Sequence, residues 1–272
     1  MTATALQARR DANAAATAAG VTVRALTAGD VTAAAALLSS IWNTPTVEPP
    51  LMVALAHSGA YVAGAFAGDT MLGACIGYFS QPLGETLHSH VAGVAPGAGR
   101  RGTGMALKLD QRAWALERGL SRITWTFDPL VSRNAAFNLE RLGVDIAEYL
   151  VDFYGAMSDG VNAGQGSDRL LASWRLDTPW PPVRDVTRDG RPARASAVLS
   201  TNEAGEPHPH IASPDAATLT VAVPPDVEQM RRTEATLAAR WRGAVRGAML
   251  PLLARGYAIH GFHDHRYLLG RP

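Results

Sequence analysis

Two neighbouring stretches of this chain carry residues that could do chemistry. From Val94 to Gly119 it reads VAPGAGRRGTGMALKLDQRAWALERG, a strand end, a glycine- and arginine-rich loop and a helix. That order predicts unpaired backbone N–H groups at the positive end of a helix, which is how a fold holds a pyrophosphate. Gly99, Gly102 and Gly104 lack the Cβ atoms that would keep a ligand off the main chain, and Arg100 and Arg101 add fixed positive charge. Just upstream, in LHSHVAGVAP, His88 and His90 lie two apart in a predicted strand and so face one side. An imidazole with an ordinary pKa of about 6.5 can accept a proton at neutral pH.

The loop resembles a known family. Arg101-Gly102-Thr103-Gly104-Met105-Ala106 matches the R/Q-x-x-G-x-G/A pyrophosphate motif of the GNAT acyltransferases, and Val94-Ala95-Pro96 precedes it as in their fourth strand. Residues from about 22 to 176 follow the family's order of elements. HSHVAGV, ALKLDQR, ITWTFDPLVSRNAAFNLERLG and DRLLASWRLD are similar to a subgroup of bacterial GNAT acetyltransferases with a C-terminal extension. The resemblance implies an α+β GNAT fold, with a mixed, mostly antiparallel sheet flanked by helices. It also implies acetyl-CoA or another acyl-CoA as cosubstrate, held by Val94, Arg100, Arg101, Gly102, Thr103, Gly104, Met105, Ala106 and Asn134. The activity implied is transfer of an acyl group to the amine of a small molecule or amino acid, by direct attack in a ternary complex.

An amine attacks a thioester only when unprotonated, so such an enzyme needs a proton acceptor and a way to neutralise the departing thiolate. His88 lies about as far upstream of the loop as the glutamate of several GNATs, which makes His88 and His90 the catalytic candidates; the competing reading is structural, both rings bonded to backbone. Asn134 is where GNATs often hold the pantetheine arm, and a helix cap, with Ser132 as competitor, explains it equally well. The chain departs from the family in the next helix. NAAFNLERLG has no tyrosine to protonate the thiolate, leaving Tyr149, Tyr154 or solvent as substitutes. Glu85 and Asp128 are candidate handles for an ammonium group, or simply solvated acids.

Three H-x-H pairs, His88/His90, His208/His210 and His263/His265, raise a metal reading. Two histidines do not complete a tetrahedral site, and the pairs fall in different elements, so no metal is expected. The single cysteine, Cys75, sits in the apolar run MLGACIGYF and reads as a buried small side chain in a reducing cytoplasm. A net charge of +1 argues against a dedicated nucleic-acid surface, and no run reaches the roughly 18 apolar residues of a membrane span. Lys108 is the one lysine among 25 basic residues, a usage that suggests a GC-rich bacterial genome and leaves almost no lysine for catalysis.

The elements expected to position these residues begin with an arm, 1–20, frayed or helical. A GNAT acyl-CoA-binding domain follows at 21–177, with hairpin strands around Gly68-Asp69 and a helix whose Met105, Leu109, Ala113 and Leu116 form one apolar stripe. The segment 155–167 reads as a flexible loop. A proline-rich linker, 178–216, is expected to carry one hairpin, at Asp189-Gly190, and a strand–helix–strand–strand unit, 217–272, resembles half a GNAT domain with one long helix over 226–255. This tail has two candidate roles, a lid over the acceptor pocket or the interface of a homodimer. Two other functions compete with catalysis of CoA-dependent transfer. One is a CoA-binding or interaction protein that has lost turnover. The other is a transferase using aminoacyl-tRNA, for which Arg231, Arg232, Arg240, Arg242 and Arg246 would form a basic face.

Overall fold

The computed structural model describes residues 2–155, 166–182, 195–213 and 216–271, with the side chain of Arg100 outside them. Packing divides the chain into two units, residues 1–125 with 175–180, and residues 126–174 with 181–272.

In the first unit α1 (Ala3–Ala19), β1 (Thr22–Ala25), α2 (Val31–Trp42) and α3 (Pro49–His57) lead into β2 (Tyr61–Ala67), β3 (Thr70–Ser80) and β4 (Thr86–Val94). A 3-10 turn, Gly99–Arg101, and α4 (Thr103–Glu117) then lead to β5 (Arg122–Phe127), whose residues through Trp125 belong here. The strands lie in the order β1-β2-β3-β4-β5, antiparallel except for β4 with β5. Apolar residues of β2, β3 and β4 are buried on both faces. Leu38 of α2 and Met52 of α3 join Val62, Ile76 and Val91 in one core, and α4 covers the opposite face. Gly93 lets α2 approach closely, because a Cβ there would stand 2.8 Å from a Leu38 methyl carbon. The unit is thus of α+β class, with the mixed, mostly antiparallel sheet between helices that the resemblance implies.

The arm is a full helix. Thr2 caps it, accepting the Ala5 N–H at 3.2 Å, and Ala5, Ala8, Ala12 and Ala19 are buried where α1 packs on α4. Arg9 pairs with both Asp110 and Glu117 of α4. Helix α4 is consequently enclosed on more than the expected stripe: Leu107, Lys108, Gln111 and Arg112 are buried as well as Met105, Leu109 and Ala113, whereas Leu116 is only half-buried.

In the second unit the helix expected at 132–142 is present as α5 (Ser132–Ala135), continued by π-helical turns over Ala136–Leu142 and ended at Gly143. Strand β6 (Asp145–Leu150) pairs antiparallel with β7 (Arg169–Arg175). The strand ends at Leu150, and residues 151–154 turn. A second sheet has the order β11-β12-β10-β8-β9, from β8 (Ala195–Thr201), β9 (Pro207–Pro209), β10 (Thr218–Ala222), β11 (Ala258–His263) and β12 (Arg266–Gly270). Its β8–β10 pair is parallel and the others are antiparallel. Within the segment read as a linker, β8 and β9 form a hairpin whose turn is Asn202–Gly205; Asp189-Gly190 and residues 156–165 lie outside the described residues. The long helix is two, α6 (Val227–Thr233) and α7 (Ala235–Ala254), broken at Glu234 by φ −144° and ψ 57°. Trp241, Val245 and Met249 of α7 are fully buried, and Trp241 Nε1 donates to the Gly205 carbonyl at 3.0 Å. Among the described residues no helix is long and apolar enough to cross a membrane.

Candidate active site

The loop after β4 is built by three local devices. Ala98 closes a turn onto the Ala95 carbonyl, and the N–H groups of Arg101 and Gly102 close the 3-10 turn onto Ala98 and Gly99. Gly102 then takes φ 92° at the start of α4, a left-handed conformation that favours glycine. The first turn of a helix leaves its N–H groups without intrahelical acceptors. Among the described residues no side chain caps α4 and no acidic residue stands in its first turn, so the amides of Thr103, Gly104 and Met105 are left without a capping side chain at the positive helix end. Thr103 Oγ1 is buried there without a partner, and Arg101 is exposed beside it. Val94 closes the base, its Cγ2 lying 3.7 Å from where a Cβ of Gly104 would be. A diphosphate suits this cradle in charge and in donor set. The expected ring of loop amides is narrower, because those of Ala98, Arg101 and Gly102 are spent on the turns.

Strand β4 offers a second feature. Its parallel register with β5 runs through Thr86, Leu87 and His88, opposite Arg122, Ile123 and Thr124, and no later β4 residue has a β5 partner among the described residues. The strands fork there, leaving one edge of Ser89–Val94 unpaired with β5, while β3 pairs the other edge as far as Val94. A bulge sits at the fork: Gly77 faces Ser89 and Ile76 faces Val91, with His90 the extra residue. Ser89 points toward α4, whereas Val91 joins the core under α2.

His88 and His90 do share a side, as their spacing predicts. The Tyr78 ring lies 5.4 Å from His88 and 5.7 Å from His90. His88 Nδ1 is 3.2 Å from Thr124 Oγ1. Burial, and then the nearby His90 and Lys108, push the His88 pKa down to about 4, and burial lowers His90. Both rings are neutral at pH 7 and each retains a nitrogen lone pair.

Beneath the fork lies Lys108, 5 % exposed. Its Nζ donates to Ser89 Oγ at 2.9 Å and to Gln111 Oε1 at 3.1 Å, and stands 3.8 Å above the centre of the Trp125 ring. Burial pulls its pKa down to about 8. Cys75 Sγ completes the group, accepting from Gln111 Nε2 at 3.4 Å, its own thiol pushed up by burial.

The remaining candidates belong to the second unit. Asn134 is half-buried on the first turn of α5, and its N–H donates to the Val131 carbonyl. Neither it nor Ser132 caps that helix, since Ser132 Oγ bonds His265 Nδ1 at 2.6 Å. Asp128 is no free handle: Oδ2 accepts from Arg231 and Arg242 at 2.6 and 2.7 Å, Oδ1 accepts the Leu130 N–H, and Arg169 stands 3.7 Å away. Burial pushes its carboxyl up, and Arg242, Arg231 and Arg169 outweigh that and hold it below the ordinary value. Tyr149 donates to Asp168 at 2.7 Å, and burial drives its pKa well up, which makes it a poor proton donor. Tyr154 meets Thr126 Oγ1 at 3.2 Å. The arginines that could have made a basic face are largely spent internally, Arg246 on Asp168 and Asp152 and Arg240 on Glu206. Among the described residues no three His, Cys, Asp or Glu side chains gather as a metal site would require.

Sequence reasoning missed Lys108, Ser89, Gln111 and Thr124. One signal was available: Lys108 and Gln111, three apart on α4, are polar on a face that the glycine loop and β4 force against the sheet.

No protein-family model matches the chain, and no curated protein does. Solved structures do. Ard1 from Thermoplasma volcanium is 13 % identical, with a TM-score of 0.49 over 57 % of this chain and 97 % of its own. The ribosomal-protein-S18-alanine N-acetyltransferase from Escherichia coli is 13 % identical, with 0.49 over 60 % and 99 %. The acetyltransferase yncA from Salmonella typhimurium, solved with its cofactor acetyl-CoA, is 17 % identical, with 0.48 over 60 % and 98 %.

Proposed function

We propose that this chain is an acyl-CoA-dependent N-acyltransferase that transfers an acetyl group to the amine of a small molecule or amino acid. The observation that carries the reading is the conjunction in one unit of an uncapped, glycine-started helix with a strand whose edge comes free at a fork. Bound acyl-CoA would supply an acyl group activated as a thioester. The amides of Thr103, Gly104 and Met105, with Arg100 and Arg101, would hold its diphosphate, with Gly102 and Ala106 shaping the turn and Val94 its floor. The unpaired edge of β4 would align the pantetheine arm as an added strand does, and a β4 N–H would polarise the thioester carbonyl. His88 would take the amine's proton at Nε2 with Nδ1 held by Thr124, and His90, beside the same Tyr78 ring, would assist it.

A neutral imidazole with a lowered pKa is a weak but available base. The buried, unpaired Cys75 thiol favours a reducing cytoplasm as the setting. We read residues 21–177 as the acyl-CoA-binding domain and 217–272 as an appended unit, a lid or a homodimer contact.

Calorimetric titration with CoA, followed by acetyl transfer to a broad amine panel, tests this reading. Binding with turnover supports it. Binding without turnover on any amine points to the CoA-binding protein suggested by the absence of tyrosine from Asn134–Gly143, and no binding at millimolar CoA removes the assignment.

A further inference from the structure

The sole lysine of the chain is buried. An ammonium removed from water is costly unless a counter-charge accompanies it. Lys108 has no carboxylate within ion-pair distance among the described residues; its partners are the Ser89 hydroxyl, the Gln111 amide and the face of Trp125, all uncharged. The titratable groups around it do not supply the charge either. Cys75 of β3 has its pKa raised and is a neutral thiol at pH 7, His88 of β4 is neutral there, and Asp110, two residues along α4, is engaged by Arg9 and Tyr61.

Its place in the fold is specific. His88 and Thr124 are the last paired residues of β4 and β5, so Ser89 and Trp125 are the first residues of each strand past the fork. Lys108 touches both. A ligand lying along the free edge of β4 would bring its reactive end to this point.

We propose that Lys108 is the proton donor and counter-charge for the thiolate released in acyl transfer, resting on the acyl-CoA reading above. As the acceptor nitrogen bonds to the acyl carbon and the C–S bond breaks, its electron pair goes to sulfur, and Lys108 Nζ gives sulfur a proton. The proton shed by the acceptor nitrogen passes to His88 and, through solvent, restores the ammonium, so the exchange closes without another reactant. A pKa of about 8 suits the task, close to the roughly 8.5 of an ordinary thiol. Helix α5 carries no tyrosine, and Tyr149 is held by Asp168, which leaves the role open for this residue.

One lysine in the chain makes the test direct, because 13Cε-lysine labelling of the full protein yields a single assignable side-chain resonance. Its pH titration is recorded free, with saturating CoA, and with saturating desulfo-CoA, whose sulfhydryl is replaced by hydrogen; calorimetry confirms binding of each. The proposal expects the midpoint to rise by about one pH unit with CoA, a tenfold shift in the protonation equilibrium, and not with desulfo-CoA. Coincident curves for the two bound ligands overturn it while leaving the acyl-CoA reading intact. If neither ligand binds, both fall. In support, Lys108→Met should retain CoA binding, lose about 100-fold in turnover, and lose the pH dependence of kcat near 8; unchanged turnover in a folded Lys108→Met protein also overturns the assignment.

Discussion

His88 Nδ1 lies 3.2 Å from Thr124 Oγ1 across the last register pair that joins β4 to β5. The contact orients the imidazole at the point where the two strands part, and it couples the ring to the geometry of the fork. Replacing Thr124 with valine should therefore lower kcat several-fold through misorientation. His88→Ala should lower it about 100-fold with the acetyl-CoA KM little changed, which steady-state kinetics will show.

The same histidine sets a pH signature. Its folded pKa of about 4 is below the unfolded value of about 6.5, so the unfolded chain binds more protons between these values and stability rises with pH. The contribution is complete above about 6.5 and is lost as pH falls toward 4. With His88 as the base, the acidic limb of kcat/KM should correspondingly lie nearer pH 4 than 6.5, and a limb at 6.5 that vanishes in His88→Ala would show that burial does not lower this imidazole.

The anion cradle depends on backbone conformation more than on side chains. Gly102→Ala forces a Cβ onto φ 92° and should cost about 1 kcal/mol of stability while weakening CoA binding. Arg101→Ala leaves the backbone alone, and should raise the acetyl-CoA KM about tenfold with a smaller change in kcat. Urea melts and kinetics on the two variants separate these effects.

Asp128 anchors α6 and α7 within the second unit through Arg231 and Arg242. Asp128→Asn preserves shape but strands buried guanidinium groups, so unfolding free energy should drop by about 3 kcal/mol. Because the arginines hold its folded pKa below the unfolded value of about 3.9, its contribution is present above that value and is lost as pH falls further.

The sequence made the loop legible because glycine, arginine and helix signals are local and adjacent, and Gly68-Asp69 marked its hairpin for the same reason. The environment of Lys108 was not legible in this way. Its burial follows from α4 laying it against Ser89 of β4 and the ring of Trp125 of β5, a contact between elements that local spacing does not reveal. The bulge at His90 arises from pairing with β3, and no residue in HSHVAGV announces it. Asp128 looked like a solvated acid because its partners lie 103 and 114 residues away. The break at Glu234 is a backbone event inside a continuous apolar pattern, which periodicity cannot reveal.

Under the proposed acyl-CoA reaction, the scarcity of lysine has a chemical consequence. Surface ε-amines are the usual casualties of stray acylation, reacting slowly with any donor at high local concentration. Here the only one is buried, hydrogen-bonded twice and covered by an indole, so the donor it can meet is one seated along the free edge of β4. Every other basic side chain of Lys or Arg type is an arginine, a far weaker nucleophile than an amine, so no surface ε-amine is offered to a stray acyl donor.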